Sequence, residues 1–244
     1  MLGLPDSVRA CLFDLDGVLT KTATVHFAAW KRTFDEFLQR SEPGSEPFSQ
    51  LDYNRYVDGK HRADGVRGFL SSRGITLPEG GPEDPPAAAT VQGIATRKNA
   101  LVLQELEEHG VEEYPGSVDY LRAVKEAGLA TAVVTASANG EHVIAAAGFA
   151  DLIDERVDGL VAARDHLRGK PEPDTFLAGA RVLGVEPPQA VVFEDAISGV
   201  QAGRAGNFGY VVGVDRVGQA DALRDAGADV VVSDLSELRE DGKP

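Results

Sequence analysis

A single cysteine in 244 residues excludes an intrachain disulfide, and its place in an apolar stretch makes Cys11 a small buried hydrophobe suited to a reducing cytoplasm. Positive charge is scarce as well. With 24 Lys plus Arg against 39 Asp plus Glu, the formal net charge is -15 and no basic block offsets it, which argues against nucleic acid and anionic membranes as partners. A small phosphorylated ligand is still allowed, because a few well-placed cations govern a cleft whatever the global charge. Long hydrophobic runs are also missing: none approaches the length of a bilayer span, and residues 1–9 carry no basic segment leading into an apolar one. The expectation is a soluble, unexported, cytoplasmic protein, large enough for one big domain or for a core with an insert.

What is present begins where the first apolar run stops. Residues 8–13 read as a short strand buried on both faces, as in a parallel sheet, and Leu12-Phe13-Asp14-Leu15-Asp16-Gly17 ends it in two carboxylates two positions apart. Open α/β sheets place their ligands at that carboxyl end. Two acids so close repel each other unless a cation or a shared proton holds them. Taken alone, an Asp-x-Asp is more often a turn or a helix cap, since Asp bonds its own backbone. The rest of the chain has to supply the other parts of a site.

From residue 22 a helix is expected, with Phe27, Trp30, Phe34, Phe37 and Leu38 on one buried face. Thr22 and His26 stand one turn apart on a different face; a lone helical His is more often packed or solvated than functional. Loops rich in Pro and Gly are expected at 41–49 and 78–89. Between them, Val57-Asp58-Gly59-Lys60-His61-Arg62 concentrates cations in an otherwise acidic chain. That cluster is either a solvated face or a turn at Gly59 that holds an anion with Lys60 and Arg62. Thr96-Arg97-Lys98-Asn99 reads as the opening of an amphipathic helix that ends near Gly110.

From Tyr114 onward helix and strand signals alternate: helices at 115–127, 139–147, 174–183, around Val200 and at 220–225, strands at 130–135, 190–193, 210–214 and 229–232. Such alternation implies a parallel sheet with helices on both faces. One strand cannot form a sheet, so residues 8–13 must rejoin the later strands and 22–110 must be an insertion. The expected organisation is a core of residues 1–21 and 111–244 with a helical domain of 22–110.

Three more polar sites fall at or near the carboxyl ends of expected strands: Thr135-Ala136-Ser137-Ala138-Asn139, Gly169-Lys170-Pro171 and Phe193-Glu194-Asp195. Singly, Thr135 is as well explained as a capping neighbour, Lys170 as a solvated cation and Glu194-Asp195 as a charged loop. Together with Asp14 and Asp16 they supply carboxylates, a hydroxyl and an ammonium, the inventory for phosphoryl transfer on a magnesium ion.

In this order the residues resemble the four motifs of the haloacid dehalogenase superfamily of phosphotransferases: Asp14-x-Asp16-Gly17-Val18, Thr135, Lys170 and Glu194-Asp195. The likeness spans nearly the whole chain. The insertion resembles the small helical cap of the β-phosphoglucomutase-like subfamily, with Thr22 and His26 in its first helix, Gly59-x-x-Arg62 in a cap loop and Lys98-Asn99 on a later helix. Lys21, at a position often acidic in that subfamily, and Ala138, where some mutases carry Lys, depart from the pattern. The two Pro-rich loops look like additions to a minimal cap.

The resemblance implies an α/β, Rossmann-like core with a parallel sheet, helices on both faces and a helical cap inserted after the first strand. It implies that Asp14 takes up a phosphoryl group as an aspartyl phosphate and that Asp16 serves as general acid and base. Asp14, the Asp16 carbonyl, Glu194 and Asp195 would hold Mg2+. Thr135 and Lys170, with Ala136, Ser137 and Asn139 beside Thr135, would bind the transferring phosphate; His26, Gly59, Lys60, Arg62 and Lys98 would bind the rest of a small phosphorylated sugar. The implied reaction converts β-glucose 1-phosphate to glucose 6-phosphate in a monomer, with a sugar bisphosphate as activator. A second reading is hydrolysis of a sugar phosphate, since mutase and phosphatase differ only in whether a sugar hydroxyl or water attacks the aspartyl phosphate. A third, a non-catalytic phosphosugar-binding module, has no need for both the nucleophile Asp14 and the acid Asp16.

Overall fold

The computed structural model describes residues 1–239. They form two compact units, Met1–Lys21 together with the chain from Val111, and Thr22–Gly110. In chain order, β1 (Ala10–Phe13) is followed by the helices of the second unit: α1 (Thr22–Ser41), the short α2 (Gln50–Asp52) running into a π-helix (Tyr53–Val57), α3 (Arg62–Ser72) and α4 (Val91–His109). The chain then alternates through α5 (Pro115–Glu126), β2 (Ala130–Val134), α6 (Gly140–Ala147), β3 (Glu155–Val157), α7 (Gly159–Arg164) and α8 (Asp174–Val182). It ends with β4 (Ala190–Glu194), α9 (Ile197–Ala205), β5 (Tyr210–Val214), α10 (Ala220–Asp225) and β6 (Val230–Val232).

The first unit is a six-stranded sheet in the order β3-β2-β1-β4-β5-β6, every pair parallel. β1 lies at the centre, with Leu12 opposite both Ala132 and Val192. Its four residues are wholly buried, as a central parallel strand covered on both faces requires, and Phe13 stacks on Phe193 with ring centroids 4.4 Å apart. The chain runs outward from β1 through β2 to β3, then returns to β4 on the other side of β1. That reversal makes the carboxyl ends of β1 and β4 the switch point of the sheet, where a crevice opens between loops that turn opposite ways. Asp14 follows β1 and Glu194 ends β4, so the topology delivers both acids to this place.

The second unit is built on aromatic rings. Phe34 packs against Phe69 at 4.3 Å, Phe48 against Phe69 at 4.9 Å and Trp30 against Phe34 at 5.0 Å, measured between ring centroids. These rings come from α1, α3 and the loop between α1 and α2, so burying them is what joins the helices. Among the described residues no helix is long and apolar enough to cross a membrane.

Several elements differ from expectation. The first strand begins at Ala10 rather than at residue 8, because Val8 donates its N–H to Pro5 O in a turn. β3 and α7 were not expected: in the edge strand β3, Glu155 is exposed, Arg156 is half-buried and only Val157 is buried, so no apolar run announces it. α4 starts at Val91, well before Thr96. Thr90 caps it by accepting the Gly93 N–H at 3.0 Å, and Gly93 is small because a Cβ there would sit 2.4 Å from Ala88 O. Lys98 therefore stands two turns inside the helix, not at its opening.

Candidate active site

Each acid at the switch point is placed by backbone. Asp14 extends the ladder of β1 by donating its N–H to Phe193 O at 2.9 Å, and Glu194 is the last residue of β4, paired with Gly213. Beyond Asp14 the chain folds back on itself at once: Leu19 and Thr20 donate their N–H groups to Leu15 O, each at 3.0 Å, and Gly17 donates to Thr20 O at 2.8 Å. Gly17 has φ +94°, and a Cβ on it would collide with the Asp195 carboxylate. Glycine here lets the loop after β1 lie directly against the loop after β4. Gly199 does the same service for Glu194, whose carboxylate fills the space of the missing Cβ.

Asp14, Glu194 and Asp195 are buried and offer carboxylate oxygens that all lie within 4.8 Å of one another. Lys170, 4 % exposed, reaches into this group from the segment before α8. Its Nζ donates to Asp14 Oδ1 at 2.5 Å and forms an ion pair with Glu194 Oε1. The other Glu194 oxygen accepts the Ala196 N–H at 2.9 Å. Burial pushes the Asp14 carboxyl well above the ordinary carboxylate range, and Glu194 and Asp16 add repulsion to that, against the pull of Lys170. Burial works against the Lys170 ammonium too, but Asp14 and Glu194 outweigh it and hold its pKa above the usual lysine value. One ammonium thus pairs with two of the three carboxylates.

This donor set fits a divalent cation. Three buried hard oxygen donors with one counter-charge leave a negative excess that a dication balances, and carboxylates are the ligands that Mg2+ prefers. The Asp16 side chain lies outside the carboxylate cluster. It is half-buried, and its Oδ2 accepts a hydrogen bond from Thr135 Oγ1 at 3.1 Å.

Thr135 follows β2 and continues the sheet by donating its N–H to Val157 O at 3.0 Å. Its hydroxyl also accepts the Ser137 N–H at 3.1 Å, and Ser137 Oγ accepts the Asn139 N–H at 3.2 Å, so the loop 135–139 is wound tightly onto its own side chains. α7 packs close beneath it: a Cβ at Gly159 would sit 2.8 Å from Ala136 O. The first unit thereby gathers Asp14, Asp16, Thr135, Lys170, Glu194 and Asp195 around one crevice, with Ala136, Ser137 and Asn139 on its margin.

The remaining candidates belong to the second unit. Lys98, 3 % exposed, has its Nζ 2.9 Å from His26 Nδ1 and 5.1 Å from the centre of the Trp30 ring, so α1 and α4 bring these two candidates together. Gly59, with φ +71°, turns the chain from the π-helix towards α3, and Lys60 donates its N–H to Val57 O at 3.1 Å in that turn. Arg62 opens α3. It is half-buried, its side chain makes no hydrogen bond or ion pair among the described residues, and burial pulls its guanidinium below the usual arginine value. Two side chains that sequence reasoning passed over, Arg216 and Gln219, reach the loops of the first unit from the turn after β5. A polar turn leaving a strand at the same edge of the sheet was the signal that could have found them.

The haloacid dehalogenase-like hydrolase family model matches residues 8–207, and the chain belongs to that family. A β-phosphoglucomutase of Mycobacterium tuberculosis is 54% identical over 98% of this chain and 94% of its own length. Another β-phosphoglucomutase, from Bacillus subtilis, is 30% identical over 95% of this chain and 92% of its own. The crystal structure of a β-phosphoglucomutase from Clostridium difficile superposes with a TM-score of 0.77, covering 96% of this chain and 94% of that one; at 24% identity it bears on the fold.

Proposed function

We propose that the chain interconverts β-glucose 1-phosphate and glucose 6-phosphate by passing a phosphoryl group through Asp14. The observation that carries this reading is the buried Asp14 carboxylate, braced by Lys170 beside Glu194 and Asp195, with Asp16 two residues on and bonded to Thr135. The likeness to proteins named β-phosphoglucomutase supports the choice of sugar phosphate.

Asp14, Glu194, Asp195 and the Asp16 carbonyl would hold Mg2+, which when bound supplies positive charge to the transferring phosphoryl oxygens. Asp14 attacks phosphorus in line with the sugar oxygen; an aspartyl O–P bond forms as the sugar O–P bond breaks. Lys170 fixes the carboxylate that attacks and lowers the cost of bringing a phosphate dianion to an acidic site. Asp16 gives its proton to the departing sugar oxygen and later takes one from the hydroxyl that attacks the aspartyl phosphate, while Thr135 keeps its carboxyl turned to that task. Ser137 and Asn139 support Thr135 from its own loop.

A mutase also has to grip a bisphosphate by its second phosphate. Arg62, a guanidinium with no carboxylate partner among the described residues, suits that role because it can bind phosphate in a bidentate manner, and Lys98, His26, Lys60 and the turn at Gly59 would supply further donors to the sugar phosphate. The reading extends to a monomeric, cytoplasmic enzyme activated by a sugar bisphosphate. Incubation with β-glucose 1-phosphate, Mg2+ and a trace of the bisphosphate should yield glucose 6-phosphate faster than inorganic phosphate. Equal or dominant phosphate release would make the chain a phosphatase. In the same assay Arg62→Ala should lower isomerisation at least about tenfold more than hydrolysis of an aryl phosphate, the loss expected when a charge-assisted bidentate contact goes.

A further inference from the structure

The turn that leaves β5 belongs to none of the four motifs, yet it reaches two of their loops. Asp215 folds it by accepting, at Oδ1, the N–H groups of Val217 at 3.2 Å and of Gly218 and Gln219 at 2.8 Å each. From this turn Arg216 extends towards the loop after β1, with its side chain 13% exposed. Nε donates to Gly17 O at 2.9 Å, and Nη2 donates to Val18 O at 3.4 Å and to Ser117 Oγ at 3.1 Å. Nη1 donates to Ser233 O at 2.6 Å and to Asp234 Oδ2 at 3.4 Å, and the guanidinium lies 3.6 Å from the centre of the Tyr114 ring. From the other end of the turn, Gln219 Nε2 donates to Asp195 O at 2.9 Å.

A guanidinium has five N–H groups, and five bonds to fixed partners engage them all. Arg216 therefore has no donor to offer a phosphate, and its bonds to Gly17 and Val18 act on the residues that directly follow Asp16. Gln219 acts in the same way on the backbone of Asp195. The two loops touch where Gly17 meets the Asp195 carboxylate, so a shift in either one changes the spacing between Asp16 and the carboxylate cluster.

We infer that residues 215–219 form a positioning element: Arg216 and Gln219 lock the loop after β1 to the loop after β4 and so set Asp16 against Asp14, Glu194 and Asp195. The inference rests on the roles given to these acids above. Arg216 and Gln219 are positioning residues, since neither touches the reacting atoms. Lysine cannot replace the fork, because a single ammonium cannot span Gly17, Val18, Ser117 and Ser233 together.

The test uses Arg216→Met, Arg216→Lys and Gln219→Leu in the full chain. Both Arg216 variants should lose about 10- to 100-fold in kcat on β-glucose 1-phosphate with little change in KM, the range for partners that orient a metal site. Gln219→Leu should raise the Mg2+ concentration for half-maximal rate about tenfold. Hydrogen exchange of the metal-free protein supplies a readout independent of substrate: in Arg216→Met, amides of 14–20 should exchange faster while those of Ala190–Glu194 keep their protection. A kcat within twofold of the parent, full recovery by Arg216→Lys, or faster exchange spread evenly over the sheet would overturn the inference, leaving Arg216 a general strut. Should Arg216→Met fail to fold, Gln219→Leu decides: an unchanged Mg2+ dependence overturns the assignment. If the parent releases only phosphate, the proposed function falls, and the same variants are read on phosphate release and on exchange.

Discussion

The two units bury charge in different company. In the first, short acids sit at strand ends, where the ladder fixes the backbone and Lys170 faces Asp14 and Glu194. In the second, the buried cation Lys98 rests over Trp30 and against His26, held by helices whose core is aromatic. A carboxylate on one or two rotatable bonds inherits the precision of its strand, whereas a lysine or arginine on four inherits only the position of its helix face. Bond-making chemistry suits the first arrangement, and recognition of a ligand's outer groups suits the second.

The largest expected break in that contrast is Asp14→Asn. It should lower turnover by at least about 10^4-fold, as loss of a covalent nucleophile does, with the thermal midpoint within a few degrees of the parent. Retained activity in a steady-state assay would show that the strand-end acids are structural. Next in size is Phe69→Ala, which removes a ring packed on both Phe34 and Phe48 and should cost about 3–5 kcal/mol. Hydrogen exchange should place that loss in α3 and α4 and spare β1 and β4; an equal rise in both units would abolish the distinction drawn between them.

The smallest effect sharpens the comparison within the first unit, away from the crevice. Burial pushes the Asp154 carboxyl up, but Lys125 and the two donors of Thr131 outweigh it and hold it below the usual aspartate range. A depressed carboxylate stabilises the fold above its unfolded pKa and stops doing so as pH falls through its folded one. Asp154→Asn should therefore cost up to about 1 kcal/mol near pH 7, and the gap in thermal midpoint should close as pH falls below about 4. A gap that persists in acid would mean that Asp154 acts by packing alone.

The sequence was most legible where one side chain does one job. An apolar run ending in Asp14 and Asp16 announces a buried parallel strand, and β1 is one. Thr135 follows, Lys170 precedes and Glu194 ends an element whose period is plain. β3 was hidden because an edge strand of Glu155, Arg156 and Val157 buries one side chain, and the first turns of α4 were missed because the Thr90 cap and the packing of Gly93 on Ala88 show only in the fold. The second unit was legible as an aromatic core at helical spacing, while the meeting of Lys98 with His26, 72 positions apart, depends on how α1 and α4 pack and leaves no mark in either stretch. Arg216 was illegible for a similar reason. Two of its partners, Gly17 O and Val18 O, are carbonyls nearly two hundred residues away, and a backbone carbonyl carries no residue identity.

The central place of β1 also bears on how the chain is made. Ala10 pairs with Ala130 on one side and Ala190 on the other, so the strand that leaves the ribosome first waits for partners 120 and 180 positions downstream. At roughly 5–20 residues per second, the first of them arrives on the order of ten seconds later. Through that interval Ala-Cys-Leu-Phe is an unpaired apolar segment, open to pairing with another nascent chain. Asp14 and Asp16 border it throughout, and during synthesis their charges act as gatekeepers against aggregation, before there is any crevice for them to serve.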